Sequence, residues 1–334
     1  MIRMELGANS YNIELERGIL AKANEYLKLN RSVMIITDEG VPIQYAEKIA
    51  QQCKKAYIKV VPQGEGSKSL QTAEEILTDM LEFQFSRKDC VVAVGGGVVG
   101  DLGGFVASLY MRGIDFYNVP TTVLSQVDSS IGGKTAVNLA GIKNIIGAFH
   151  QPKAVLIDPD TLNSLSERQI VNGLIEAIKM GATSDPGLFE LFLNGEWKDK
   201  LDYIIEKALL VKKYVVEQDE KESHLRKILN FGHTIGHGFE SAAKGKYLHG
   251  ECVALGMLYM SSDEVKEKLI QIYERLGFNV PESDEFSIEE VKEAITHDKK
   301  ASNKNCSVVF VSEIGDGQIE EWPMEQVLAR LERE

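Results

Sequence analysis

Apolar residues in the first 160 positions gather in short runs: Val33-Met34-Ile35-Ile36, Tyr57-Ile58-Lys59-Val60-Val61 and Cys90-Val91-Val92-Ala93-Val94. Runs of this length, rich in β-branched residues, predict buried strands. Between them lie stretches with helical periodicity, such as Thr72 to Phe83, and further short strands fit Phe116 to Val119 and Ala154 to Ile157. Strands alternating with helices predict a parallel sheet covered on both faces. After Pro159 the pattern changes. Glu167 to Met180, Leu201 to Gln218, Leu225 to Ala243 and Gly250 to Leu269 each predict a long amphipathic helix, and only Ser307 to Val311 suggests a late strand. The expected architecture is a Rossmann-like α/β domain over residues 1–160, then a mainly helical domain over residues 161–334. No repeat or low-complexity segment interrupts it, and a cleft between two such domains is a natural place for a site.

Composition narrows the class. A chain of 334 residues with 44% hydrophobic and 26% charged residues can bury a full core without staples. Its four cysteines (Cys53, Cys90, Cys252 and Cys306) show no metal or redox spacing, which predicts reduced thiols in a cytoplasmic protein. The start Met1-Ile2-Arg3-Met4-Glu5-Leu6 lacks the pattern of a signal peptide. No apolar run approaches the roughly 18–20 residues that a membrane helix needs. A net charge of −13 argues against nucleic-acid binding. It leaves room for an anionic small molecule, because a few cations can make a local positive cleft.

Two segments carry candidate chemistry. Directly after the strand at Val91–Val94 comes Gly95-Gly96-Gly97-Val98-Val99-Gly100-Asp101-Leu102-Gly103-Gly104, which satisfies G-x-G-x-x-G between a strand and a helix. Glycines let a backbone approach a pyrophosphate and turn with positive φ, and the following helix aims its first amides at the phosphates. A ligand-free tight turn is the bland alternative, but six glycines in ten residues exceed what a turn needs. The second segment is Leu229-Asn230-Phe231-Gly232-His233-Thr234-Ile235-Gly236-His237, followed by His249-Gly250-Glu251. His233 and His237 stand four apart on one helical face. Imidazoles so spaced commonly hold a divalent metal with a carboxylate, and Glu176, on an otherwise apolar helical stretch, is a candidate. A lone histidine is more often a hydrogen-bonded core residue; three beside a buried glutamate point to metal. Spacing does not say which three of the four are ligands.

Polar clusters fill in the picture. The run Pro120 to Thr135, with Thr121, Thr122, Asp128 and Lys134, suggests a loop lining a polar site, and Lys143-Asn144 follows it. Lys179, Lys212, Arg226 and the pair Lys299-Lys300 are cations near the proposed metal helices. Surface lysines are usually just solvated. Lys179, one helical turn from Glu176, is the best exception.

Taken together, Gly95 to Asp101, Tyr110-Met111-Arg112-Gly113, Pro120-Thr121-Thr122, Gln126-Val127-Asp128-Ser129-Ser130, Gly132-Gly133-Lys134-Thr135, Lys143-Asn144, Leu229 to Thr234 and His249-Gly250-Glu251 closely resemble the 3-dehydroquinate synthase family. The resemblance runs in order from about Thr37 to Lys300. It implies an NAD-dependent lyase of the shikimate pathway, which leads to chorismate and the aromatic amino acids. The enzyme would use zinc or cobalt, work as a homodimer, and turn 3-deoxy-D-arabino-heptulosonate 7-phosphate into 3-dehydroquinate and phosphate. The metal ligands implied are Glu176, His233 and His249, with His237 left to substrate hydrogen bonding or proton transfer. NAD would be held by Asp38, Glu65, Lys68, the loop Gly97, Val98, Val99, Gly100 and Asp101, then Thr121, Thr122, Lys134 and Lys143. Substrate would meet Asp128, Lys134, Asn144, Lys179, Lys212, Arg226, Asn230 and one of Lys299 and Lys300, and Arg112 would reach the phosphate in the neighbouring subunit. The implied cycle is oxidation at C5, loss of phosphate, re-reduction and ring closure by an aldol step, so NAD is regenerated. A phosphate and a carboxylate on one substrate account for the cation set.

The chain departs from the family pattern at Gly40, where an asparagine is usual, at Leu174-Ile175-Glu176-Ala177, and at His224, where glycine is usual. None removes a catalytic group. Two neighbouring activities share the scaffold: another sugar-phosphate cyclase, making a valiolone or an inosose, and a metal-dependent polyol dehydrogenase, which would release NADH.

Overall fold

A computed structural model describes residues 1–299 and 305–332. The chain forms two compact units, Met1–Ser166 and Glu167–Glu334. The break follows a 3-10 turn over Pro159–Ser164, a few residues beyond the expected boundary.

The first unit is built on a sheet. Its elements are β1 (Ile2–Met4), β2 (Tyr11–Leu15), β3 (Ser32–Asp38), α1 (Ile43–Ala50), β4 (Lys55–Val61), α2 (Leu70–Glu82), β5 (Cys90–Gly95), α3 (Gly97–Leu109), β6 (Asp115–Pro120), β7 (Lys134–Leu139), β8 (Ile142–Phe149) and β9 (Ala154–Ile157). Seven strands make one sheet in the order β1-β2-β9-β6-β5-β3-β4. Only β1 and β2 pair antiparallel within it. The apolar runs are unbroken because both faces are covered. Met34, Ile36, Val91 and Ala93 point to a core with Ile76, Met80, Leu102 and Val106 of α2 and α3. Val33, Ile35, Val92 and Val94 point the other way, onto Ile19, Leu20, Tyr45 and Ile49. This is the parallel α/β fold that periodicity predicts. The antiparallel start, β1–β2, was not expected.

The polar run from Thr121 to Thr135 is more ordered than a loop. Ser125–Ser129 forms a π-helical turn, Gly132 and Gly133 take left-handed backbone, and Lys134 opens an antiparallel ribbon of β7 and β8. β7 lies so close to α3 that a side chain on Gly104 would strike Thr135. Much of β8 is exposed, so no apolar alternation marks it.

The second unit holds α4 (Glu167–Ser184), α5 (Pro186–Leu193), α6 (Leu201–Gln218), α7 (His233–Ala243), α8 (His249–Tyr259), α9 (Asp263–Leu276), α10 (Ile288–Lys299), the antiparallel hairpin β10 (Asn305–Glu313) and β11 (Asp316–Pro323), and α11 (Met324–Arg330). Two of the long helices expected here are each broken in two. Leu225 to Ala243 is a 3-10 turn, Leu225–Asn230, then an extended Phe231 and a left-handed Gly232 (φ 77°) before α7 begins. Gly250 to Leu269 is interrupted after α8, and Ser262 caps α9 by accepting the Val265 amide. The acidic β11 carries too little apolar signal to be seen in sequence. Among the described residues no helix is long and apolar enough to cross a membrane.

The break at Gly232 has a packing reason. α7 and α8 meet backbone to backbone, and a Cβ on Gly256 would run into the carbonyl of Gly232 and the amide of Gly236. Gly256→Ala should therefore push the two helices apart and cost about 1–3 kcal/mol. A chemical denaturation curve indistinguishable from the parent's would show that the contact has slack.

Candidate active site

In the helical unit the metal candidates converge. Glu176, on α4, is 1% exposed, as is Lys179 one turn later. Lys179 Nζ donates to Glu176 Oε2. The other oxygen, Oε1, is buried without a hydrogen-bond partner. It faces His233 Nε2 at 3.8 Å and His249 Nε2 at 3.6 Å. His233 is the first residue of α7, and its Nδ1 lies 3.1 Å from the Phe231 carbonyl. A carbonyl only accepts, so Nδ1 carries the hydrogen and the Nε2 lone pair is turned toward Glu176. His249, the first residue of α8, has its Nδ1 3.0 Å from Glu240 Oε2, which fixes a hydrogen on Nδ1 and leaves Nε2 as the nitrogen facing Glu176.

The start of α8 is fixed from outside. Glu251 accepts the Leu248 amide at 2.7 Å and is gripped by Arg168 through two bonds of 2.6 and 2.8 Å. Asn172 accepts the Gly250 amide at 2.6 Å. A side chain at Gly250 would strike the Asn172 carbonyl.

Charge follows this geometry. Burial pushes the Glu176 carboxyl up, but Lys179, His233 and His249 outweigh it and hold it well below the usual range. Burial drives His233 well below the ordinary imidazole value, with Lys179 adding to the effect. For His249 burial acts downward too, yet Glu176 and Glu240 override it and push the imidazole up to about 10. A spot flanked by two carboxylates in this way favours a cation.

His237 is exposed, with its ring 5.2 Å from that of His233 and 5.8 Å from that of His249. Among the described residues, the ring nitrogens of His233, His237 and His249 lie within 4.8 Å of one another. Three imidazoles therefore gather, and two of them, His233 and His249, face Glu176. Tetrahedral ligands at about 2.0–2.2 Å from a zinc ion sit roughly 3.3–3.6 Å apart, and the two Glu176–histidine separations are close to that.

The buried cations of this unit lie on elements that pack together: Lys179 on α4, Lys212 (6% exposed) on α6 and Arg226 (2%) on the 225–230 turn. Arg226 donates to the Glu220 carbonyl at 2.5 Å, and Asn230 donates to Glu222 at 2.8 Å. Asp219 shapes the turn by accepting the amides of His224, Ser223 and Arg226 at 2.7, 3.0 and 3.1 Å. Lys299 ends α10, its side chain outside the described residues, and Lys300 lies wholly outside them.

In the α/β unit, Asp38, Gly95 to Gly97 and Thr121 stand at the carboxyl ends of the adjacent strands β3, β5 and β6, where open α/β sheets bind ligands. The Thr121 amide donates to the Gly95 carbonyl at 3.0 Å. Asp38 accepts the Gly40 amide at 2.8 Å, and burial still raises its pKa. α3 begins at Gly97, so the amides of Gly97, Val98 and Val99 form its first turn; Gly100 already donates to the Gly96 carbonyl. One expectation fails here. None of Gly95, Gly96, Gly97 and Gly100 has positive φ. They are glycines for closeness: a Cβ would press Val99 from Gly95, Thr122 from Gly96, Ser129 from Gly97 and Asn118 from Gly100.

Beside this loop Lys68, 5% exposed, pairs with Asp101 at 2.5 Å, bonds Asn144 Oδ1 and lies 3.9 Å from Glu65. Asn138 donates to Glu65 at 2.8 Å and accepts the Asn144 amide at 2.9 Å. Asn144, expected at the substrate, thus lies beside Lys68, which is expected at NAD. Thr122 bonds Ser125 at 2.8 Å, Asp128 is half-buried, and Lys134 and Lys143 are exposed on the β7–β8 ribbon. Arg112 is exposed on a turn where Met111 and Arg112 both have positive φ, 48° and 71°. Three polar residues were missed in sequence. Asn138 and Glu222 carry no spacing signal, but Glu240 stands three residues after His237 and seven after His233, on the same helical face.

Two family models match the chain: 3-dehydroquinate synthase N-terminal over residues 58–172 and 3-dehydroquinate synthase C-terminal over residues 173–301. The 3-dehydroquinate synthase of Streptococcus thermophilus (strain CNRZ 1066) is 40% identical over 353 aligned positions, covering 99% of each chain. Among solved structures, the 2-epi-5-epi-valiolone synthase of Streptomyces hygroscopicus subsp. jinggangensis 5008, with NAD⁺ and Zn²⁺ bound, superposes with a TM-score of 0.87 at 25% identity, over 98% of this chain and 96% of that one. A 2-deoxy-scyllo-inosose synthase complexed with carbaglucose-6-phosphate, NAD⁺ and Co²⁺ gives 0.86 at 23% identity, over 99% and 98%. These likenesses establish the fold read from the strand and helix pattern.

The Asp219 turn yields a test. Burial pushes its carboxyl up, but three amides and the Ser223 hydroxyl hold it well below the ordinary range. A depressed folded pKa contributes stability above the unfolded value, about 3.9, that is lost as pH falls through the folded one. Asp219→Asn should therefore be less stable near neutral pH, with a deficit that shrinks in thermal melts below about pH 4. A deficit independent of pH would show that packing, not charge, holds the turn.

Proposed function

The chain belongs to the 3-dehydroquinate synthase family, and we propose that it converts 3-deoxy-D-arabino-heptulosonate 7-phosphate into 3-dehydroquinate and inorganic phosphate. This is a phosphate-eliminating lyase step of the shikimate pathway, carried out in the cytoplasm by a homodimer with resident NAD and a divalent metal, zinc or cobalt. The observation that carries the reading is Glu176 Oε1, buried and without a hydrogen bond between the Nε2 atoms of two imidazoles whose Nδ1 hydrogens are held elsewhere. A cation fits this donor set of one carboxylate and two imidazoles, and would displace the proton that His249 holds in its absence.

Glu176, His233 and His249 are the proposed ligands. When bound, NAD would supply a reversible hydride acceptor for C5 and the metal a Lewis acid to polarise the reacting centre. Asp38, Glu65, Lys68, Gly97 to Asp101, Thr121, Thr122, Lys134 and Lys143 hold the dinucleotide; the first-turn amides of α3 suit its pyrophosphate. Lys179, Lys212, Arg226 and one of Lys299 and Lys300 meet the substrate's carboxylate and phosphate, with Asp128, Lys134, Asn144 and Asn230 orienting its hydroxyls. Oxidation of C5 to a ketone acidifies the C6 proton. That proton passes to an oxygen of the departing phosphate as the C7–O bond breaks. After C5 is reduced again, the opened ring forms an enolate whose carbon attacks the C2 carbonyl, closing the carbocycle. His237, beside the ligands, hydrogen-bonds the substrate or relays a proton. Arg112 of a second copy would bind the phosphate.

Protein supplied with NAD⁺ and zinc or cobalt should release one phosphate per heptulosonate phosphate consumed, with no build-up of NADH fluorescence. NADH accumulating from a simple polyol, with no phosphate released, would instead identify a dehydrogenase. Glu176→Ala, His233→Ala and His249→Ala should each lose bound metal by elemental analysis, whereas His237→Ala keeps most of it. Equal loss in His237→Ala would move that histidine into the ligand set.

A further inference from the structure

We propose that Glu240 is a positioning residue of the metal centre, acting through His249 to hold its ring and tautomer in the ligating state. The inference rests on the metal reading above and adds a residue to it. Glu240 lies on α7 with its side chain 17% exposed, and its Oε2 is 3.0 Å from His249 Nδ1. An ionised carboxylate accepts and cannot donate, so a hydrogen is held on Nδ1 and Nε2, which faces Glu176, is the nitrogen left for a cation. His233 reaches the same tautomer by another device, the main-chain carbonyl of Phe231. That carbonyl cannot be mutated away. Glu240 is the side chain in this pair whose removal would free one ring to rotate or change tautomer.

Charge points the same way. Lys179 neutralises Glu176 within the site, so once both imidazoles act as neutral donors the group carries no net charge to attract a dication. Glu240 supplies that negative charge from behind a ligand, where it also makes His249 a stronger donor. The helix geometry is economical: α7 begins with His233 and carries Glu240 two turns later, so one rigid element fixes both the first imidazole and the orientation of the second.

The test is metal affinity, measured by competition with a chromogenic chelator for zinc and for cobalt on the purified full chain. Removing a partner of this kind weakens metal binding roughly 10–100-fold. Glu240→Ala should show that full loss. Glu240→Gln, which keeps the shape and can still accept from Nδ1 but lacks the charge, should fall between Ala and the parent. The visible spectrum of the cobalt form should shift in Glu240→Ala, a change that a merely structural role would not produce. Dissociation constants for both variants within twofold of the parent, with an unaltered cobalt spectrum, would overturn the role of Glu240 and leave the proposed reaction standing. A parent that binds neither metal would overturn both.

Discussion

The helical unit is organised around a carboxylate that water cannot reach. Left alone at the position of Glu176, such a group would take up a proton rather than stay charged. It stays ionised because Lys179 takes one oxygen and His249, itself held protonated by its carboxylate neighbours, stands with His233 before the other. The imidazoles are a little too far for hydrogen bonds, at 3.8 and 3.6 Å, and each has its far nitrogen tied back by an acceptor. Hydrogen bonding would have drawn one ring closer. Such an arrangement suits the proposed shared cation, and much of the unit then serves to hold three side chains in place.

One face of α4 does much of that holding. Arg168, Asn172 and Glu176 recur every four residues, and all three act on the start of α8: Arg168 through Glu251, Asn172 through the Gly250 amide, Glu176 toward His249 itself. On the other side, α8 lies against α7 with no side chain between Gly256 and the backbone at Gly232 and Gly236. Small residues bring the histidines into range; the polar face of α4 sets their direction.

How legible this was depends on what each segment buries. β3 and β5 show in sequence because α1, α2, α3 and their neighbours cover both faces, and a run such as Val91–Val94 has no polar interruption. β1, β11 and the β7–β8 ribbon lack that cover, and their mixed residues carry no clear period. The helix expected over Leu225 to Ala243 kept an apolar rhythm across a real break, and Gly232 was the one residue that could have marked it. The histidine cluster was visible as spacing, but separations of four and sixteen residues do not distinguish ligand from neighbour; the tie-back partners, Phe231 and Glu240, begin to do so. The glycine loop was recognised for a partly mistaken reason. Its first glycines avoid collisions with Val99, Thr122 and Ser129 and do not adopt left-handed backbone.

The acidity of the chain bears on ligand choice less than its burial pattern does. A net charge of −13 is spread over a surface where salt screens beyond about 8–10 Å. Lys179, Lys212 and Arg226 are each more than nine-tenths buried. There an ion pair at 4 Å is worth on the order of 4 kcal/mol at an effective dielectric of 20, against about 1 kcal/mol in water. An anion that reaches these groups meets interior cations at short range, whereas the exterior repels it only through screened solvent. Lys68 is buried as well, and its charge is matched by Asp101 and Glu65, as that of Lys179 is by Glu176. How strongly an anion is held at each cation is thus decided residue by residue, by its burial and by the carboxylates that fold beside it.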